Sequence, residues 1–144
     1  MVYLKEITRD NYLECLKLKV RDDQRNFVAS TAFSLAQSKF ESQCIPVAIY
    51  NDGVMVGFLM YALDPDDNNY WIWRLMIDEK YQRKGYALEA MNKIISRITS
   101  DKSRNKILIS FKESNTAAEA LYKKVGFHHT GDIIDNEIVM QLDY

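Results

Sequence analysis

Residues 75–88 read LMIDEKYQRKGYAL, and this stretch carries the strongest signal in the chain. An apolar strand is predicted to end near Ile77, a polar and basic loop follows, and a helix is predicted to begin at Gly85. Glycine lets the backbone approach an anion closely, and the free N–H groups of a helix N-terminus attract negative charge. Arg83 and Lys84 add positive charge beside them. The stretch therefore indicates either a phosphate-binding turn or a plain basic loop between a strand and a helix.

A second informative stretch, residues 115–127, reads NTAAEALYKKVGF and predicts a helix that ends at Gly126. Asn115 and Tyr122 are two helical turns apart, so they share one face of that helix. A carboxamide and a phenol on one helix edge can line a groove. The alternative is that Asn115 only caps the helix and Tyr122 packs in the core.

The remaining sequence predicts a single domain, residues 1–144, in which strands and helices alternate. Asp52-Gly53 between two apolar runs predicts a hairpin, and the run after it is apolar on both faces, which indicates a central strand. The predicted strands cover residues 2–7, 46–50, 54–62, 70–77, 106–111, 127–131 and 138–142. The predicted helices begin at Thr8 or Asp10 (with Tyr12, Leu13, Leu16 and Val20), at Ser30 or Thr31 (through about Ser42), at Gly85 (through about Thr99) and at Ser114 or Asn115. This pattern is a mixed α/β (α+β) sheet with helices on both faces.

Apolar spacing predicts which side of two helices faces the sheet. The helix that begins near Ser30 carries Phe33, Ala36 and Phe40 at helical spacing. The inner stripe of the helix at residues 85–99 is predicted to be Leu88, Met91, Ile95 and Ile98.

Composition narrows the possible functions. The chain has 144 residues, 47% of them hydrophobic and 27% charged, with a net charge of −1, which is a poor match for nonspecific nucleic-acid binding. Two cysteines are too few for a disulfide scaffold, and the adjacent His128 and His129 have no partner at ligand spacing, so no metal is expected. The start of the chain lacks an apolar signal segment and no run is long enough to span a membrane, so we expect a cytoplasmic protein.

Together, the two stretches resemble the GCN5-related N-acetyltransferase (GNAT) family. Residues 82–87, QRKGYA, fit the family's cofactor-loop pattern Gln/Arg-x-x-Gly-x-Gly/Ala, and Asn115 with residues 121–127, LYKKVGF, fits its later motif. Within the family, the chain looks most like the small bacterial spermine/spermidine (diamine) N-acetyltransferases. That finer resemblance rests on residues 24–28 (QRNFV), 56–58 (VGF), 60–61 (MY) and 77–82 (IDEKYQ).

The resemblance implies a mostly antiparallel, twisted sheet of six to seven strands and acetyl-CoA as the acetyl donor. The backbone of residues 83–88 would hold the pyrophosphate, and the edge of residues 75–77 would pair with the pantetheine arm like an added strand. The Leu75 N–H would stabilise the oxyanion, and Tyr122 would protonate the leaving thiolate. The implied catalytic residues are Tyr122 and Leu75. The implied cofactor-binding residues are Leu75, Met76, Ile77, Gln82, Arg83, Lys84, Gly85, Tyr86, Ala87, Leu88, Asn115 and Tyr122.

The proton acceptor for the amine is left open by the sequence. An alkylammonium with a pKa of about 10.4 is neutral to only on the order of one part in a thousand at pH 7. In parts of the family a glutamate stands where this chain has Trp73. Glu41, Asp23, Glu113 or a chain of waters are the alternatives. Trp73 and Trp71 either wall a cationic substrate or pack in the core.

The acceptor is predicted to be a small polyamine such as spermidine or spermine. A polyamine favours carboxylates along its groove, and the acidic residues that can flank it are Asp22, Asp23, Glu41, Asp64, Asp66 and Asp67. The predicted substrate residues are Asp23, Gln24, Phe27, Glu41, Trp73 and Arg74. The alternatives are a protein or peptide amine, an aminoglycoside, a non-catalytic CoA-binding sensor, and an interaction module without a cofactor. A homodimer is a further expectation.

Overall fold

The computed structural model describes residues 1–144, which form one sheet with helices on both faces. The strands are β1 (Val2–Glu6), β2 (Cys44–Asn51), β3 (Val54–Leu63), β4 (Tyr70–Ile77), β5 (Lys106–Lys112), β6 (His128–Ile134) and β7 (Glu137–Asp143). The α-helices are α1 (Tyr12–Leu16), α2 (Thr31–Phe40), α3 (Tyr86–Thr99) and α4 (Thr116–Lys124). None of these helices is long and apolar enough to cross a membrane.

The sheet has seven strands in the order β1-β2-β3-β4-β5-β7-β6, which confirms the predicted fold class. Every neighbouring pair is antiparallel except β4 and β5, which run parallel. The predicted hairpin between β2 and β3 is present, and both residues of its turn, Asp52 and Gly53, have positive φ angles of 49° and 85°. Asp135 and Asn136 turn β6 into β7 in the same way, with φ angles of 50° and 64°. Such primed turns match the twist of the strands that they join.

The sheet opens at its only parallel junction. β4 and β5 pair from Tyr70↔Ile107 to Ile72↔Ile109 and then have no further pairing, although both strands continue. Beyond this point the β5-facing backbone groups of β4 have no strand partner. The two strands therefore form a fork, and its arms are residues 73–77 and 110–112.

An irregularity in β4 lies at the base of this fork. Met60 of β3 is opposite Arg74, but the next residue, Tyr61, is opposite Ile72. Trp73 is therefore an extra residue without a partner on β3, which is the definition of a β-bulge. Bulges turn a strand and redirect its side chains, so the bulge at Trp73 helps to set the direction of the arm that follows it.

The inner stripe of α3 differs in part from the prediction. Met91 and Ile98 are buried as expected, but the other core positions are Ala90 and Ile94. Leu88 and Ile95, which were predicted to be in the stripe, are only partly buried. Leu88 lies in the first turn of the helix, which lines the opening of the fork instead of the core.

The predicted inner face of α2 is wrong. Phe33 and Phe40 are 59% and 86% exposed, and Ala36 is exposed as well. The buried positions are Thr31 and Ser34 instead. The physical reason is that α2 turns a polar side toward a charged residue of β4, described below. Phe33, Ala36 and Phe40 therefore face outward, whereas Leu35 packs against the core.

The first helix is also shorter than predicted. α1 ends at Leu16, so Val20 lies beyond it, and its N-cap is Asn11, not Thr8 or Asp10. The Asn11 side chain accepts a hydrogen bond from the Thr8 N–H at 2.7 Å and donates to the Glu6 carbonyl oxygen at 3.0 Å, so it fixes the turn between β1 and α1. After the helix the chain continues as loop and a 3₁₀ turn to the start of α2.

Candidate active site

A cavity of about 520 Å³ lies at the fork between β4 and β5. Its walls are the free arm of β4, the start of α3, the facing part of β5, one side of α4, and the loop between α1 and α2. The cavity thus joins the two stretches of sequence that carry the motifs, although they are far apart along the chain. A crevice of this size and position is a typical binding site for a small-molecule ligand.

The start of α3 presents a row of free amide groups to this cavity. The N–H groups of residues 83–88 donate no hydrogen bond within the protein. Gly85 is the N-cap with φ 83°, and Arg83 also has a positive φ of 63°, so the loop turns sharply into the helix. A Cβ atom at Gly85 would meet nothing within 4 Å, so open space lies beside the backbone. Free N–H groups with the positive end of a helix dipole suit a phosphate.

The loop before α3 is tied to the loop that follows α1. Asp78 is 6% exposed, and its two carboxylate oxygens accept hydrogen bonds from the N–H groups of Lys80 and Lys19, both at 3.0 Å. The Glu79 N–H donates to the Lys19 carbonyl oxygen at 2.8 Å. These bonds hold the two loops together at the mouth of the cavity.

Gln82 extends this connection with its side chain. Its amide nitrogen donates to the Ile77 carbonyl oxygen and to the Gln24 side-chain oxygen, both at 2.9 Å. Its amide oxygen accepts a hydrogen bond from Arg21 Nη1 at 2.7 Å. The side chain of this motif residue therefore shapes the loop, and only its backbone is free to contact a ligand.

Tyr122 is almost completely buried but reaches the cavity. It is 7% exposed, and its ring packs against Phe111 and Phe127 with centroid distances of 5.8 Å and 6.0 Å. Its hydroxyl makes no hydrogen bond to the protein. Burial, together with the negative charge of Glu137, raises the pKa of Tyr122 well above its usual value of 10.0, so the phenol stays neutral and able to donate a proton.

Asn115 both caps α4 and lines the cavity. Its side-chain oxygen accepts a hydrogen bond from the Ala118 N–H at 3.2 Å, so it caps α4. The same residue lines the cavity. The cap fixes the start of the helix that carries Tyr122.

Arg74 points from β4 toward α2 and explains the polar inner side of that helix. Its guanidinium donates to Ser34 Oγ at 3.2 Å, to Gln37 Oε1 at 3.0 Å and to the Trp73 carbonyl oxygen at 3.0 Å. It forms no salt bridge, and burial lowers its pKa from the usual value. The charged residues that line the cavity are all cationic: Arg21, Arg74, Arg83 and Lys124.

Most of the predicted site residues lie together at this cavity. All predicted cofactor-binding residues except Lys84 line it. Among the predicted substrate residues, Gln24, Phe27, Trp73 and Arg74 line it, but Asp23 and Glu41 do not.

The acidic residues considered for the acceptor or the base have partners elsewhere. Asp23 forms an exposed ion pair with Arg21, with 3.2 Å between Oδ1 and Nε. Glu41 accepts a hydrogen bond from Gln37 Nε2 at 2.8 Å on the surface. Asp64 and Asp67 accept hydrogen bonds from backbone N–H groups of their own loop. Asp67 also accepts a hydrogen bond from Trp71 Nε1 at 2.8 Å, and Trp71 does not line the cavity. Glu113 is exposed.

Two polar residues next to the cavity were not predicted from the sequence to be site residues. Ser110 of β5 lines the cavity, and its hydroxyl donates to Glu137 Oε1 at 2.9 Å. The one feature of the sequence that could have indicated Ser110 is that it interrupts the apolar part of the strand KILISFK. Glu137 has no comparable signal, because the antiparallel pairing of β7 with β5, which are far apart in sequence, brings it to Ser110.

Other groups capable of chemistry lie away from this cavity. His128 bonds Asp143 and His129 bonds Glu119 on the exposed edge strand. The two cysteines are free and buried, and burial raises the pKa of each thiol to about 11, so neither is a reactive thiolate at neutral pH. No group of three or more His, Cys, Asp or Glu side chains could hold a metal ion.

Comparison with known proteins gives concordant results from sequence and structure. The model of the acetyltransferase (GNAT) family matches residues 3–127. The chain is 33% identical over 138 residues to a spermine/spermidine N(1)-acetyltransferase of Bacillus subtilis (strain 168), covering 92% of this chain and 91% of that protein.

Solved structures share the fold at lower identity. The aminoglycoside acetyltransferase AAC(6')-Ib, solved with paromomycin and acetyl-CoA, superposes with a TM-score of 0.82 at 16% identity, covering 99% of this chain and 93% of the other. Spermidine N-acetyltransferase from Vibrio cholerae, solved with CoA and spermine, gives a TM-score of 0.78 at 14% identity, covering 99% and 95% of the two chains.

Proposed function

This chain belongs to the GNAT family of acetyltransferases, and from that premise we propose that it acetylates a primary amine of a small polyamine such as spermidine or spermine. The acetyl donor is acetyl-CoA, and the amine attacks it directly while both substrates are bound. The observation that carries the proposal is 33% identity over 92% of the chain to a spermine/spermidine acetyltransferase. The cavity at the fork supplies the site that such a reaction requires.

The residues around the cavity fit acetyl-CoA. The free N–H groups of residues 83–88 suit its diphosphate, and Arg83 and Lys124 add positive charge within the same cavity. The open edge of β4 beyond Ile72 has backbone groups that an amide-bearing pantetheine arm can pair with. When bound, acetyl-CoA supplies an acetyl group that is activated as a thioester.

Two groups of this chain are proposed to act on the reacting atoms. The Leu75 N–H lies on the free arm of β4, where it can donate to an oxygen that becomes negative as the amine attacks. The Tyr122 hydroxyl has no partner in the protein, and its raised pKa keeps it protonated, so it can donate a proton to the departing sulfur. Both residues line the cavity, at the fork and on α4 respectively.

Arg74 favours a second candidate acceptor, an amine that also carries a carboxylate. Every charged residue in the cavity lining is cationic, and the Arg74 guanidinium is half-buried without a salt bridge. A carboxylate on the acceptor would complete the hydrogen bonding of such a group. A polyamine, by contrast, would be held by carboxylates outside the lining.

Acetylation of a panel of amines tests the proposal. The protein is incubated with acetyl-CoA and, in turn, spermidine, spermine, a diamino acid, a lysine peptide and an aminoglycoside, and free thiol is followed with time. We expect the highest kcat/KM with spermidine or spermine. A preference for the diamino acid would favour the second candidate, and no thiol release with any amine would contradict the enzymatic function.

Two further outcomes separate the remaining alternatives. Tight CoA binding without turnover, unchanged by Tyr122→Phe, would indicate a CoA sensor. No heat on titration with CoA would indicate an interaction module. The proposed homodimer is tested by sedimentation, in which a mass corresponding to one chain would contradict it.

A further inference from the structure

Ser110 occupies a special position at the base of the fork. It directly follows Ile109, which forms the last pair between the two strands with Ile72. Ile109 and Phe111 belong to the core on the α3/α4 side of the sheet, and side chains alternate along a strand. Ser110 therefore projects to the opposite face, the one that carries α2 and the Arg74 side chain, while still lining the cavity.

Ser110 and Tyr122 therefore approach the cavity from opposite sides of β5. The Tyr122 ring packs against Phe111, the residue after Ser110, but on the core side. The amine adds to one face of the thioester carbonyl, whereas the sulfur lies in the carbonyl plane, so the proton donor for the sulfur and the proton acceptor for the amine must be two groups at different positions around the reacting carbon. Tyr122 fits the first requirement, and Ser110 is placed for the second.

The cavity has no acid of its own to take the proton. An alkylammonium must lose a proton before it can attack, and no carboxylate is among the lining residues. Ser110 is the lining residue whose hydroxyl donates to a carboxylate, Glu137 Oε1, at 2.9 Å. The Tyr86 hydroxyl instead accepts from Asn51 Nδ2, and Tyr122 has no partner.

We propose that Ser110 and Glu137 form the proton relay for the amine. This inference rests on the proposed acetyl transfer and adds to it the residue that activates the nucleophile. The ammonium gives a proton to Ser110 Oγ as the Ser110 proton moves to Glu137, which leaves a neutral amine and a neutral carboxylic acid. The amine then forms the C–N bond and the C–S bond breaks. The thiolate takes the Tyr122 proton, the protonated amide nitrogen gives its extra proton to water, and Tyr122 regains a proton from water. Glu137 is only partly buried and returns its proton to water.

The charged and titratable neighbours of Glu137 are compatible with this role. Lys112 is directly opposite it on β5, and Asp135 lies two residues before it in the hairpin turn. The Glu137 carboxylate lies 2.9 Å from Ser110 Oγ; its negative charge adds to burial in raising the pKa of Tyr122 of α4 and partly offsets the lowering of the Arg74 pKa by burial. Glu137 is thus within reach of the fork, although Ser110 stands between it and the cavity.

The test compares Ser110→Ala, Ser110→Thr and Glu137→Gln with wild type across pH 6 to 10. We expect kcat/KM for the best amine of the panel to fall by about 10²-fold at pH 7 in Ser110→Ala and Glu137→Gln. Without a base these variants depend on amine that is already neutral, so their kcat/KM should rise about tenfold per pH unit and approach wild type at about pH 9. Ser110→Thr retains the hydroxyl and should keep most of the activity.

Matched controls separate this role from a structural one. Asp135→Asn removes a carboxylate of the same hairpin without contacting Ser110 and should leave kcat unchanged, because Asn suits its positive φ. The CoA dissociation constant and the melting temperature should be unchanged in all variants. Parallel pH profiles, or full turnover by Ser110→Ala, would overturn the relay alone. A wild-type protein that acetylates no amine would overturn both the proposed function and the relay.

Discussion

Gly85 combines a left-handed backbone conformation with open space at the place where the diphosphate is proposed to bind. Its φ of 83° is in the left-handed region, which costs a residue with a Cβ roughly 1–2 kcal/mol. Nothing lies within 4 Å of the place where a Cβ would be, so the absence of a side chain leaves space directly beside the free amide groups. This is the arrangement expected where a phosphate must come close to the backbone.

Gly85→Glu should weaken CoA binding. The glutamate would place bulk and negative charge where the diphosphate is proposed to lie, so we expect the dissociation constant measured by calorimetry to rise at least tenfold, about 1.4 kcal/mol. Gly85→Asn is the control, because asparagine tolerates a positive φ and adds no charge. Wild-type affinity in a folded Gly85→Glu protein would show that the diphosphate binds elsewhere.

Tyr122→Phe should lower turnover much more than affinity. Tyr122 is the proposed proton donor, which would act only as the C–S bond breaks, so kcat should fall by about 10²-fold while CoA binding changes little. Because the pKa of Tyr122 is raised, its ionisation should not reduce wild-type activity between pH 7 and 10. An alkaline loss of activity that disappears in Tyr122→Phe would contradict this assignment.

At the scale of elements, α2 and α3 contribute to the fold in different ways. α3 buries Ala90, Met91, Ile94 and Ile98 against the sheet. α2 buries Thr31 and Ser34 and presents its phenylalanines to solvent, because its inner side provides hydrogen bonds to Arg74. Helical spacing alone could not reveal this, since it reports that apolar residues share a face but not which face meets the sheet.

The two helices should respond differently to truncation of an apolar side chain. Ile94→Ala should destabilise the protein by about 2–5 kcal/mol, because Ile94 is 0% exposed and its truncation leaves a cavity. Phe40→Ser should leave the free energy of unfolding in urea nearly unchanged, since Phe40 is 86% exposed. A loss in Phe40→Ser as large as that in Ile94→Ala would contradict the orientation of α2.

The segment after α3 is held by Asp101. Its carboxylate accepts hydrogen bonds from the Tyr70 hydroxyl at 2.7 Å and the Ser103 N–H at 3.0 Å, and its carbonyl oxygen accepts from the Tyr144 hydroxyl at 3.1 Å. Hydrogen bonds from Ser103 and Tyr70 lower the pKa of Asp101 to about 2. The charged carboxylate thus joins the end of α3 to the start of β4.

Asp101→Asn should lower the melting temperature at pH 7. A carboxyl whose pKa is lower in the folded state stabilises the fold above its unfolded pKa, and this contribution is lost as the pH falls through the folded pKa. The difference between wild type and variant should therefore shrink from about pH 4 toward pH 2. A difference in melting temperature that does not change with pH would contradict the carboxylate's role.

At the scale of the whole molecule, two loops meet across the mouth of the cavity. Arg21 and Gln24, from the loop after α1, bond to Gln82 in the loop before α3. The first loop also supplies Phe27 to the cavity, on the side where the acceptor is proposed to bind. The donor side and the acceptor side of the site are therefore built as one unit.

Much of this organisation could be predicted from the sequence. All seven strands, the Asp52-Gly53 hairpin turn and the two motif stretches could be predicted from local patterns, because they depend on neighbours in the chain. The role of the Gln82 side chain, the polar inner side of α2, and the Ser110–Glu137 bond depend on pairing between distant elements. No local pattern encodes those contacts.

Amide hydrogen exchange measured by ¹H–¹⁵N NMR, with and without CoA, tests the central claim most directly. The amides of residues 83–88 have no partner in the protein, so they should exchange fast alone and become protected when CoA binds. Amides of the free arm of β4 should gain protection as well, whereas those of the β6–β7 hairpin should not change. Fast exchange of residues 83–88 in a protein saturated with CoA would contradict the account.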